Sequence, residues 1–109
     1  MDYDPEIYKL KAELCKTFSE PKRLIMIDAL RDGERAVGAL ARMLELDQAV
    51  VSRHLGILRD RGVVKARRDG TSIYYSLSDP KICEACDLVH EILLTQIKKN
   101  GELAEKLVI

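Results

Sequence analysis

Residues 37–77 constrain the fold most, because a helix-turn-helix pattern there runs directly into a basic hairpin. Val37-Gly-Ala-Leu-Ala-Arg-Met-Leu-Glu-Leu46 carries apolar residues at helical spacing and predicts a short supporting helix. Asp47 then offers an N-cap carboxylate for a second helix over residues 48–61. Within that helix Val51, Leu55 and Leu58 recur at i, i+4 and i+7, so they face a core. Gln48, Ala49, Ser52, Arg53, Gly56 and Arg59 are left pointing outward. Beyond Gly62, the runs 63–68 and 71–77 flank an Asp69-Gly70 pair. A type I′ turn, with positive φ at both centres, is expected there. Val64, Ala66, Ile73 and Tyr75 are expected to face inward, with Lys65, Arg67, Thr71 and Tyr74 more exposed.

A helix presented in this way enters a major groove N-terminus first, while the hairpin tip reaches the neighbouring backbone. Double-stranded DNA is therefore the expected partner. Gln48 suits a bidentate contact to adenine and Arg53 one to guanine or to phosphate; Ala49 suits a thymine methyl, and Ser52 a base or a phosphate. Gly56 permits close backbone approach, at a helix-propensity cost of about 1 kcal/mol. At the hairpin, Arg67 and Arg68 are the phosphate or minor-groove candidates, and Thr71 joins the DNA-binding set. An ion pair between Arg68 and Asp69 is the competing assignment. His54, on the helix flank, is expected to be a packed or capping histidine.

Charge supports this assignment. The chain of 109 residues holds 18 basic and 18 acidic residues, yet residues 47–70 contain six basic against three acidic ones. The positive excess lies where phosphate would be met. A winged helix used only for protein–protein contact is the alternative, and the basic hairpin argues against it. A thiol or metal enzyme is not expected, because no Gly-rich loop or nucleophile–base pair accompanies the cysteines.

The rest of the chain predicts a mostly α fold with a small β-hairpin: about five helices plus a two-stranded wing, in one domain over residues 1–109. Pro5 opens a first helix, residues 5–18, with Ile7, Leu10, Leu14 and Phe18 at helical spacing. Ser19 is the expected cap of a second helix. Leu24, Ile25, Met26, Ile27 and Leu30 make that helix apolar nearly all round, as a central post would be, and it ends around Asp32-Gly33. A last helix over residues 79–99 carries Ile82, Ala85, Cys86, Val89, Ile92, Leu93 and Ile97, and Leu88, Leu94 and Ile97 widen its stripe beyond one small domain's needs. Asn100-Gly101 interrupts it, and residues 102–109 continue as a short frayed segment. The excess apolar area is expected to be covered in a homodimer formed through the first and last helices; mutual cover within one chain is the alternative. The acidic start and the lack of a long apolar run predict no signal peptide, no membrane span and a cytoplasmic protein.

These segments resemble the ArsR/SmtB family of winged-helix repressors. The resemblance rests on Phe18-Ser-Glu-Pro-Lys-Arg-Leu24, Val37-Gly-Ala-Leu40, Asp47-Gln-Ala-Val-Val-Ser-Arg-His-Leu55, Leu58-Arg-Asp-Arg-Gly-Val63 and residues 70–75, and spans roughly residues 8–98. It implies a homodimeric transcriptional repressor that binds an inverted-repeat operator and is released by an inducer. Inducers in the family are commonly thiophilic or transition metals, and sometimes reactive sulfur or oxidants. The family's Cys-x-Cys metalloid box is replaced here by Glu34-Arg-Ala-Val-Gly38, and its zinc pairing on the last helix meets only Asp87 and His90-Glu91.

What remains is Cys83, Cys86 and His90, at i, i+3 and i+7 on one face of the last helix, with Cys15 on the first helix as a further donor. Three sulfurs suit arsenite or antimonite, and sulfur with nitrogen suits zinc, cadmium or copper(I). A dithiol switch responding to thiol-modifying agents is the second chemistry, for which a Cys15–Cys86 bridge is less strained than one within a helical turn. Plain buried thiols are the third assignment.

Overall fold

A computed structural model describes residues 3–101 of the chain in two compact units, Met1–Asp79 and Pro80–Ile109. The expected segment 102–109 lies outside the described residues. The first unit runs α1 (Pro5–Thr17), α2 (Pro21–Ala29), β1 (Arg35–Ala36), α3 (Val37–Leu44), α4 (Gln48–Asp60), β2 (Val64–Asp69) and β3 (Ser72–Leu77). The second holds α5 (Lys81–Asn100).

Local chemistry sets the helix starts. Asp4 caps α1 by accepting the Glu6 N–H at 3.0 Å, and Pro5 takes the first helical position, where a missing N–H costs nothing. Pro21 does the same for α2, which makes Glu20 the cap; its carboxylate accepts from the Lys22 N–H at 3.1 Å. Ser19, the expected cap, instead donates its hydroxyl to the Lys16 carbonyl at 2.6 Å. α2 ends at Ala29, earlier than expected, and is one-sided in the described chain. Met26, Ile27 and Leu30 share its buried face, whereas Leu24 and Ile25 lie off that face and stay 39% and 49% exposed.

α3 stops two residues before the expected end, because Glu45 adopts a left-handed conformation (φ 54°). α4 follows as predicted, with the Asp47 carboxylate accepting the Ala49 N–H at 2.8 Å. Val51, Leu55 and Leu58 are fully buried and pack with Met26, Ile27, Leu30 and Leu40 into the core of this unit.

Two features of the wing differ from expectation. A third strand, β1, pairs antiparallel with β3 (Arg35↔Tyr75, Ala36↔Tyr74), so the sheet order is β1-β3-β2 with β3 central. Two residues are too few to show a strand period, and what holds them is tertiary: Arg35 Nε donates to the Ala29 carbonyl at 2.8 Å. The turn is also displaced by one residue. Asp69 pairs with Ser72, which leaves Gly70 and Thr71 as the centres. Only Gly70 has positive φ (62°), the pattern of a type II′ turn, which asks for glycine at its first centre alone. On the inward face Val64 and Tyr75 are buried and Ile73 is half-buried, while Ala66, expected there, is exposed.

α5 is a 20-residue helix ended by Gly101, whose φ of 72° is a left-handed cap that glycine adopts without steric cost. Cys83 and Ile97 are buried and Leu94 is half-buried. Leu88, Val89, Ile92 and Leu93 are exposed. The apolar residues therefore occupy two faces, and the exposed one includes Val89, Ile92 and Leu93 from the stripe expected to be covered.

Candidate nucleic-acid interface

The N-termini of α3 and α4 and the start of β3 surround a groove of ≈ 410 Å³. Gly38, Arg42, Gln48, Ser52, Thr71 and Ile73 are among the residues that line it. Asp47 sets the start of α4, since its carboxylate satisfies the orphan N–H of Ala49 in the first turn. Over Gly38 two long polar side chains converge: a Cβ there would lie 3.5 Å from Arg42 Nη1 and 3.7 Å from Gln48 Oε1. The groove thus offers guanidinium, amide and hydroxyl groups from the helices, and hydroxyl groups with an aliphatic side chain from the wing. Such a set hydrogen-bonds base edges or phosphate oxygens.

Of the seven residues assigned to DNA from sequence, Gln48, Ser52 and Thr71 meet in this groove. Ala49 and Arg53 are exposed on α4 beside it. Arg67 and Arg68 are exposed on β2, but Arg67 is engaged: its Nη2 and Nε donate to the two Glu34 carboxylate oxygens at 2.6 and 3.2 Å. That hydrogen bond holds the Glu34 carboxyl below its ordinary range and raises Arg67 in turn. Asp69 stands 3.9 Å from Arg67, so the ion pair weighed as the competing assignment for Arg68 is made by the preceding arginine instead. Sequence reasoning missed Arg42. Its only local signal is a cation four residues after Gly38, one helical turn along α3.

His54 is packed, as expected. It is buried on α4, and Arg23 Nη1 lies 3.5 Å from its Nδ1. Arginine has only donors, so this contact needs Nδ1 as acceptor and places the ring hydrogen on Nε2. Arg23 is itself held by Nε donating to the Thr17 carbonyl at 2.7 Å, so the contact ties α4 to the ends of α1 and α2. Burial first, then Arg23 and Arg53, push the imidazole below its ordinary 6.5; Glu20 opposes them and Lys22 adds to them. Because the folded protein binds this proton less readily than the unfolded chain, stability is full above about pH 6.5 and declines as pH falls below it. Urea midpoints at pH 7.5 and 5.5 are expected to separate in the wild type and to draw together in His54→Gln. Equal separation in both proteins would assign the acid sensitivity to other groups.

The cysteine assignments fall on separate elements. Cys83 is buried and Cys86 half-buried on α5, His90 is exposed one turn further, and Cys15 is exposed on α1. Among the described residues, no three His, Cys, Asp or Glu side chains group so as to hold a metal ion. Two thiols a turn apart, one of them partly open, retain the chemistry of a soft-ion grip or of a modifiable pair.

Known proteins are similar to this chain in sequence and in fold. Residues 20–66 match the family described as bacterial regulatory protein, arsR family. An uncharacterised HTH-type transcriptional regulator of Mycobacterium tuberculosis (strain ATCC 25618 / H37Rv) is 36% identical over 98% of this chain and 94% of its own length. The biofilm growth-associated repressor of Xylella fastidiosa (strain Temecula1 / ATCC 700964) is 36% identical over 81% of this chain and 77% of its own. A solution structure from Mycobacterium bovis, of a homodimeric winged helix-turn-helix DNA-binding domain from a possible ArsR-family regulator, has a TM-score of 0.76. Its identity is 30%, and the match covers 85% of this chain and 86% of that one. No described helix is long and apolar enough to cross a membrane. The chain belongs to the ArsR family of bacterial regulatory proteins and is a winged helix-turn-helix, DNA-binding transcriptional regulator, not an enzyme.

Proposed function

We propose that the protein is a cytoplasmic homodimeric repressor that binds an inverted-repeat operator and leaves it when a thiophilic inducer reaches the cysteines of α5. The observation that carries the DNA half is the shared groove, where Gln48 and Ser52 at the start of α4 stand opposite Thr71 of the wing. In this reading Gln48, Ala49, Ser52 and Arg53 meet the major groove and the wing meets the adjacent backbone. The whole chain acts as one winged-helix domain with dimerisation helices at its ends. Exposed apolar faces support dimerisation: Ile7, Leu10 and Leu14 on α1, and Leu88, Val89, Ile92 and Leu93 on α5. Two copies also supply the twofold symmetry an inverted repeat requires.

For sensing, Cys83 and Cys86 supply the sulfur, with His90 on the same helical face and Cys15 as the donor from α1. A soft metal or metalloid, or a thiol-modifying agent, shifts the regulator only if it binds the DNA-free arrangement more tightly than the DNA-bound one. The test follows release of the reduced protein from its own promoter DNA by anisotropy, with arsenite, zinc, cadmium and an organic persulfide added in turn. One agent is expected to release the wild type and to leave the Cys83→Ser, Cys86→Ser double variant bound. Tight binding indifferent to all four agents would return the cysteines to the core and remove induction from the proposal.

A further inference from the structure

Arg67 and Arg68 are neighbours in the chain and opposites in the sheet. Arg68 pairs with Ile73, and Arg67 with Tyr74. Successive side chains of a strand point to opposite faces, so Arg68 shares the face of buried Val64 and Tyr75 and of Ile73, which lines the groove beside Gln48 and Ser52. Arg67 stands on the other face. There its guanidinium lies 4.7 Å from the centroid of the Tyr74 ring and closes a two-point hydrogen bond on Glu34. Glu34 immediately precedes β1 and β3 is the central strand, so the pair reaches from one edge of the sheet, over Tyr74, to the other. A phosphate would have to displace a carboxylate that already offers the fork geometry guanidinium prefers. Arg68 has no ion pair among the described residues.

We propose that Arg67 is a positioning residue, which straps the wing to the β1 edge through Glu34 and Tyr74, and that Arg68 is the wing's phosphate-binding cation. The proposal rests on the DNA-binding reading above and divides the labour of its two wing arginines. Charge at the wing then splits by face: Glu34 and Asp69 offset Arg67, while Arg68 stays available on the side of α4.

The test uses the full chain, its promoter duplex and a random duplex, with binding measured between 50 and 200 mM salt. Arg68→Ala is expected to weaken both duplexes alike and to reduce the slope of log affinity against log salt by about one, the signature of a lost phosphate contact. Glu34→Gln, Arg67→Ala and the two combined are expected to weaken binding equally and to leave the slope unchanged. Exchanging the charges, Glu34→Arg with Arg67→Glu, is expected to recover binding. Tighter binding with a steeper slope in Glu34→Gln would overturn the proposal, as would a charge-exchanged protein weaker than Arg67→Ala. Amide hydrogen exchange of the DNA-free protein gives an independent reading. Glu34→Gln and Arg67→Ala are each expected to accelerate exchange in the β2–β3 ladder, and Arg68→Ala is not. An unchanged ladder in the first two overturns the strap even if the wild type binds neither duplex; that last failure would itself sink the DNA-binding reading.

Discussion

Replacing Leu55 by alanine is expected to lower the free energy of unfolding by about 2–5 kcal/mol, the range for emptying a well-packed leucine site. Leu55 is fully buried on α4 and lies between Val51 and Leu58, which are also fully buried. These three side chains attach the helix to α2 and α3, so the cavity opens where α4 meets its support. Urea unfolding at fixed protein concentration measures the loss; the concentration must be held because association stabilises a folded protomer by mass action. A cost below about 1 kcal/mol would mean that the site collapses around the smaller side chain or that α4 is anchored elsewhere.

Arg53→Ala separates recognition from stability. Arg53 is exposed on the outer side of α4, so its removal is expected to change unfolding by no more than about 0.5 kcal/mol. It also removes one of the charges that depress His54, which relieves rather than strains the fold. Affinity for the promoter duplex is expected to fall by about 1–3 kcal/mol if its guanidinium reads a guanine. Competition between promoter and random DNA provides the check. A preference that survives the substitution would place Arg53 on the backbone or off the DNA.

Much of the fold was legible along the chain. Pro5, Asp47 and Gly101 each act through groups within four residues of themselves, and their effects appear where local rules put them. The 3.6-residue period placed Val51, Leu55 and Leu58 in the core for the same reason. Period alone fared worse on α2 and α5. Apolar residues surround both helices, so which face was covered depended on what packed against them, and Leu24, Ile25, Val89 and Ile92 remained exposed. The turn moved by one residue because strand register, set over six cross-strand pairs, outweighed the local preference of Asp69-Gly70.

The candidate site divides along the same line. Gln48 and Ser52 were legible because their place on α4 follows from the buried residues beside them. Arg42 and the different surroundings of the two wing arginines were not. Arg67 and Arg68 are identical in type and adjacent, and only strand alternation and a partner 33 residues away distinguish them. The sequence by itself determined the helices, the Pro5 start, the Asp47 cap and the presence of a basic wing, because capping and periodicity act over a few residues. Only the tertiary structure decided that β1 joins the wing, that Glu34 takes Arg67, and that Arg68 stays on the groove side. Each of those outcomes depends on which distant backbone and side-chain groups the folded core brings together.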